Sequence, residues 1–213
     1  MAASKRLLWV PKRETVLQFR VSLLGVEPEV WRRIVVPERY SFWDLHVAIQ
    51  DAMGWLDYHL HLFEMTRPGE PQVTVGIPDD AFGQDINAGW EIGLSDFFSH
   101  PGQVALYRYD FGDGWCHQVL LEGVLLGDIA TRYPICAAGA RACPPEDCGG
   151  EQGYERLLKA LASPKHKRHE EMIEWLKGHA KNYHPFIPDA FDPKGVHFGN
   201  PKQRWKKAFE STD

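Results

Sequence analysis

Residues 103–126 read QVALYRYDFGDGWCHQVLLEGVLL, two runs of apolar and aromatic residues meeting around Asp113-Gly114. An Asp-Gly pair between such runs is the strongest short-range hairpin signal a sequence carries, because both residues tolerate positive φ. The spacing predicts an antiparallel strand pair. If Asp113 and Gly114 are the two central residues of a type I′ turn, Gly112 faces Trp115, Phe111 faces Cys116 and Asp110 faces His117. Opposed residues hold their Cβ atoms roughly 4.5 to 5.5 Å apart, so this register sets a carboxylate against an imidazole. That unit serves in general-base catalysis and in supporting a metal-bound histidine. It also occurs as a plain cross-strand polar pair.

Upstream, VLQFRVSLLG (16–25) alternates apolar Leu17, Phe19, Val21 and Leu23 with Gln18, Arg20 and Ser22, the period of a half-buried strand. After Glu27 and Pro28, VWRRIVVP (30–37) reads as a second strand ended by Pro37. Ser41 then opens FWDLHVAIQDAMG, with Asp44 completing a capping box and Gly54 placed as a C-terminal stop. Leu45, Ala48, Ile49, Ala52 and Met53 share one stripe, so this helix is expected to pack on the sheet. HLHLFEM (59–65) follows as another alternating strand. The Gly-, Pro- and Asp-rich stretch 67–90 is expected to be a mobile excursion with a short strand near VTVGI.

Downstream, residues 133–152 read as a cysteine-containing loop. Three helices are expected after it, in YERLLKALA, RHEEMIEWLKG and a last segment begun by Asn200-Pro201. Strands first and helices last give an α+β order: an antiparallel sheet, a packed helix after the second strand and a C-terminal helical segment. A chain of 213 residues is expected to form a single domain, 1–213, with a core of about 14–178 and a helical extension of about 179–213.

Composition narrows the function classes. Hydrophobic residues are 44%, aromatics 12% and charged residues 25%, as in ordinary globular proteins. No apolar run reaches the length of a membrane span, and MAASKRLLWV is short for a signal peptide, so a cytoplasmic protein without a membrane partner is expected. A net charge of −5 argues against a whole surface made for nucleic acid, leaving only a local basic C-terminal patch around KQRWKK (202–207).

His59 and His61 alternate on one expected strand face, a spacing that can chelate a metal; the alternative is a wet face, with Leu60 and Leu62 in the core. Cys136, Cys143 and Cys148 lie in one loop, spaced more widely than a zinc knuckle, and would need a fourth ligand such as Cys116 or His117. Within CPPEDCGG, Glu146 and Asp147 sit on a stretch stiffened by two prolines, placed either to cap the following helix or to act on a ligand.

The stretches EVWRRIVVP (29–37), FWDLHVAIQDAMGWLDYHLHLFEM (42–65), YRYDFGDGWCHQVLLE (107–122) and RACPPEDCGGEQGYERLLKAL (141–161) resemble the plasmid pRiA4b open-reading-frame-3-like family. The resemblance spans about 16 to 175 and rests on the combination of DLH, HLH, YDFGDGW-x-H and CPPED. It implies an association with plasmids, insertion elements and bacterial chromosomes. Some members carry a resolvase-like label, which this chain does not support. It contains neither a serine nucleophile set among arginines with a helix-turn-helix nor the Arg-His-Arg-Tyr set of tyrosine recombinases.

Three functional readings follow. The first is a non-enzymatic binding or accessory protein tied to mobile elements. The second is a hydrolase using a divalent metal such as zinc, with His59, His61 and His117 as ligands, Asp110 orienting His117, and Glu146 or Asp147 activating water. The third is nucleic-acid binding through the basic C-terminal helix.

Overall fold

Ser41 and Asp44 form the expected capping box: Asp44 N donates to Ser41 Oγ (3.2 Å) and Ser41 N to Asp44 Oδ2 (3.0 Å). The helix they start, α1 (Phe42–Met53), ends at Gly54 with φ +82°. The computed structural model describes residues 13–66, 69–78 and 85–210. Before α1 come strands β1 (Thr15–Leu23) and β2 (Val30–Pro37); after it come β3 (His61–Met65), β4 (Val73–Gly76), β5 (Ile86–Ala88), β6 (Val104–Tyr109), β7 (Trp115–Leu126) and β8 (Ile135–Ala140). The chain then forms α2 (Gly150–Leu161), α3 (His169–Gly178) and α4 (Pro201–Phe209).

The eight strands make one sheet in the order β5-β4-β3-β6-β7-β1-β2-β8, antiparallel except for the β4–β5 pair. The architecture is α+β, with α1 laid on one face. Phe42 of α1 meets Phe63 of β3 edge to face at 5.1 Å, and Leu45, Ile49, Ala52 and Met53 are buried with it. Each fully buried large apolar side chain contributes about 1.5–3 kcal/mol, so this face supplies much of the driving force for folding. The other face is polar: Arg33 makes a bidentate ion pair with Glu122 (2.5 and 2.8 Å), and Gln18 donates to the same carboxylate. Buried side chains from β1 through α3 form one contiguous cluster, against which Tyr183, Phe186, Val196 and Phe198 also pack.

Three details depart from the sequence reading. First, β6 and β7 are joined by five residues, 110–114, and pair Tyr109 with Trp115 and Tyr107 with His117. The two-residue turn is not formed because Asp110 itself takes the left-handed conformation (φ +56°) and accepts from Gly112 N and Asp113 N, building a wider loop. Asp110 therefore does not face His117. Second, residues 135–140 are a strand on β2 rather than loop. Its small residues give no alternating signal, and Gly139 is needed where a Cβ would come within 2.8 Å of the Trp31 carbonyl oxygen. Third, within the stretch 67–90, part of which lies outside the described residues, a second strand, β5, is present beside β4, the short strand that was expected there.

Among the described residues no helix is long and apolar enough to cross a membrane.

Candidate metal centre

Two aspartates with left-handed backbones organise the site. Asp110 (φ +56°) and Asp147 (φ +57°) each end an element or a turn in a conformation that short polar side chains tolerate better than most. Asp110 spends Oδ1 on its own loop, accepting from Gly112 N at 3.0 Å and Asp113 N at 3.2 Å, which leaves Oδ2 on the side of His59. The loop of Asp147 is brought to it by contact between backbones. Gly149 N donates to Asp113 Oδ2 (3.1 Å), and Gly150, at φ +65°, lies so near that a Cβ there would sit 2.4 Å from Asp113 O.

A third loop, between α1 and β3, is pinned by Glu146. Its carboxylate is buried and accepts on both oxygens: Tyr109 Oη donates to Oε1 in a short bond, and Leu56 N donates to Oε2 at 2.6 Å. Trp55 Nε1 donates to Pro144 O (2.9 Å), Tyr58 N donates to Tyr109 Oη (3.1 Å), and Glu146 N donates to Tyr183 Oη (3.3 Å). Burial, then the bond and charge of Glu146, hold the Tyr109 hydroxyl far above the usual phenol range, so it stays a donor.

With its loop fixed this way, His59 reaches both aspartates. Its Nε2 lies 2.9 Å from Asp147 Oδ1 and 3.6 Å from Asp110 Oδ2, and one ligand atom from each of the three residues lies within 4.8 Å of the others. His179, at the end of α3, places Nε2 3.9 Å from Asp147 Oδ2. Asp110 is almost covered (7% exposed side chain), His59 is 31% exposed and Asp147 51%, so the cluster is open on one side. Two carboxylates and one imidazole form a donor set suited to zinc, manganese or ferrous iron. Among the described residues, this is the group of three or more His, Cys, Asp or Glu with that geometry.

The other expected site residues go elsewhere. His61 points inward and stacks on His46 at 3.4 Å with 6° between the rings. Burial, with the neighbouring His46, pushes its pKa well below the usual histidine value. His117 is fully buried against Tyr107 and Trp55; its Nδ1 lies 3.3 Å from Tyr107 O, and burial lowers its pKa to about 3. Both are core residues because β3 and β7 turn their odd-numbered side chains toward α1. Cys136 lies on β8, and burial raises the pKa of all three loop thiols, Cys143 to about 12. Glu146 is buried, accepts a hydrogen bond on each oxygen and in this structure holds loops together.

Sequence reasoning passed over His179, which has no motif around it, and over Tyr109, Trp55 and His46. His46 Nε2 lies 2.8 Å from Asp57 Oδ1, and its Nδ1 lies 2.8 Å from Tyr107 Oη. Desolvation opposes ionisation of Asp57, but His46 and Arg204 together hold its carboxyl below the usual range.

A model of the family described as "Plasmid pRiA4b ORF-3-like protein" matches residues 15–195. The chain belongs to the pRiA4b ORF-3-like family. It is 38% identical over 162 residues to "Uncharacterized protein y4hQ" of Sinorhizobium fredii (strain NBRC 101917 / NGR234), covering 76% of this chain and 80% of that one. Its fold is similar to the crystal structure of the protein of unknown function MM3350 from Methanosarcina mazei Go1, with a TM-score of 0.77 and 42% identity over 88% of this chain and all of that one. Neither relative's name states an activity. The span matched by the pRiA4b ORF-3-like family contains His59, Asp110, Asp147 and His179 together with the Glu146 and Tyr109 that position them.

Proposed function

We propose that the chain binds one divalent transition-metal ion through His59, Asp110 and Asp147 and uses it in a hydrolytic reaction. The observation that carries this reading is the convergence of three ligand atoms within 4.8 Å from three separate loops, each loop held by its own hydrogen bonds. Two carboxylates would offset the charge of a divalent ion, and His59 Nε2 and Asp147 Oδ1 already face each other at 2.9 Å. A bound ion would lower the pKa of a coordinated water from 15.7 toward about 7. His179, beside Asp147, is the group placed to take a proton from that water, and Glu146 acts only as a support.

The accessory and mobile-element readings draw on no residue of this site. Nucleic-acid binding by KQRWKK has less support than the sequence suggested, because Arg204 is tied to Asp51 (2.7 Å) and Asp57 (3.5 Å). Trp205 packs among Trp90 and Phe209.

Calorimetric titration with manganese and zinc tests the reading. Wild type should take up one ion per chain, His59→Ala should bind at least about tenfold more weakly, and the loaded protein should hydrolyse a chromogenic phosphate, ester or amide. A wild type that binds neither ion would end it.

A further inference from the structure

A second site lies beside the C-terminal end of α1, around the buried guanidinium of Arg32. This side chain is 2% exposed and, among the described residues, donates only to neutral carbonyls: Nε to Ala52 O (2.9 Å), Nη1 to Trp31 O (2.8 Å) and Ala140 O (2.9 Å), and Nη2 to Arg141 O (2.9 Å). Four of five N–H groups are thus satisfied, leaving one on Nη2. The charge is another matter. Ala52 O belongs to the negative end of α1, which compensates in part, but among the described residues no carboxylate forms an ion pair with Arg32.

Arg32 lines a cavity of about 580 Å³, within the range of about 300–1,000 Å³ usual for small-ligand sites. Lys181 lines it too, its ammonium resting on the Gly54 carbonyl at the same end of α1. Burial lowers the pKa of both cations. Of the two acids on the wall, Asp51 accepts from Arg204 (2.7 Å) and Gly199 N (2.8 Å), and Asp192 accepts on Oδ1 from Lys194 N (2.9 Å). Much of the remaining wall is aromatic, with Trp55, Phe186 and Phe191, the last lying 3.6 Å from the Arg32 guanidinium carbon.

We propose that this cavity binds a small organic anion, its carboxylate or phosphate headgroup on Arg32 and Lys181 and its apolar body against Trp55, Phe186 and Phe191. The free Nη2 hydrogen and the ammonium supply charge-assisted donors to the headgroup, and the aromatic wall excludes water from the body. The site stands independently of the metal reading.

Isothermal titration of the full chain with benzoate, phenyl phosphate, inorganic phosphate and neutral benzamide tests it. Benzoate or phenyl phosphate should bind at least about tenfold more tightly than benzamide, and whichever of the two binds better identifies the headgroup. The better of the two should also exceed inorganic phosphate. Because Arg32 clamps β2 to β8 as well, Lys181→Met carries the mutational arm: it should weaken the anion about tenfold in a chain that still folds and melts cooperatively. Benzamide binding as tightly as the better of benzoate and phenyl phosphate, inorganic phosphate matching that better ligand, or undiminished affinity in Lys181→Met would each overturn the proposal.

Discussion

Asp110 divides its two oxygens between structure and site. Oδ1 holds the 110–114 loop and Oδ2 turns toward His59, so Asp110→Asn can keep the first role while removing the negative charge from the second. This variant is expected to change stability by less than about 1 kcal/mol while weakening manganese or zinc at least about tenfold, read by denaturant melts and calorimetry. His117→Ala should behave in the opposite way. Emptying a buried position costs about 2–5 kcal/mol, and metal binding should stay at the wild-type level because His117 lies in the core. His59, Asp110 and Asp147 were each legible as chemistry-bearing residues, but their grouping was not. The Asp-Gly pair suggested a register in which Asp110 opposes His117, whereas the left-handed conformation that Asp110 adopts is set by hydrogen bonds within the loop. His179 lies 32 residues beyond Asp147 with nothing in its local pattern to single it out.

At the level of elements, the candidate centre is a meeting of loops, and two contacts bring them together. Glu146 joins the loop after α1 to the end of β6 through Leu56 N and Tyr109 Oη. Tyr109→Phe removes one of these donors and leaves Tyr58 N without its acceptor; a loss of about 1–3 kcal/mol and a weaker metal titration should appear together. Gly150→Ala puts a methyl group against the Asp113 carbonyl and should push the CPPED loop away from the hairpin. The expected result is a lowered melting temperature and metal affinity, with far-ultraviolet circular dichroism unchanged. The strands and α1 were readable because their alternation, capping box and terminal glycine are local signals. β8 was not, because a strand of Cys, Ala and Gly has no periodic contrast and is recruited by the edge of β2.

For the molecule as a whole, the burial of histidines against α1 sets the response to acid. His117, with a pKa of about 3, and His61, held well below the usual value, remain neutral in the folded chain where the unfolded chain would take up protons. Below about pH 6.5 the unfolded state therefore binds more protons than the native one, and stability falls as pH falls, by up to about 1.4 kcal/mol per pH unit for each histidine. For His117 this window closes near pH 3. Asp57, whose carboxyl is depressed, adds a further loss below its unfolded value of 3.8. Urea midpoints should drop steadily from pH 7 to pH 4, and His117→Leu should flatten part of that slope; a midpoint constant over this range would contradict the neutral buried pair.

Anomalous diffraction from crystals grown with manganese tests the central claim most directly. The account predicts one strong peak per chain among His59 Nε2, Asp110 Oδ2 and an Asp147 carboxylate oxygen, at about 2.0–2.3 Å from each, and its loss in Asp147→Ala. A peak at the cysteines or beside His61, or density at the three ligands without anomalous signal, would contradict it.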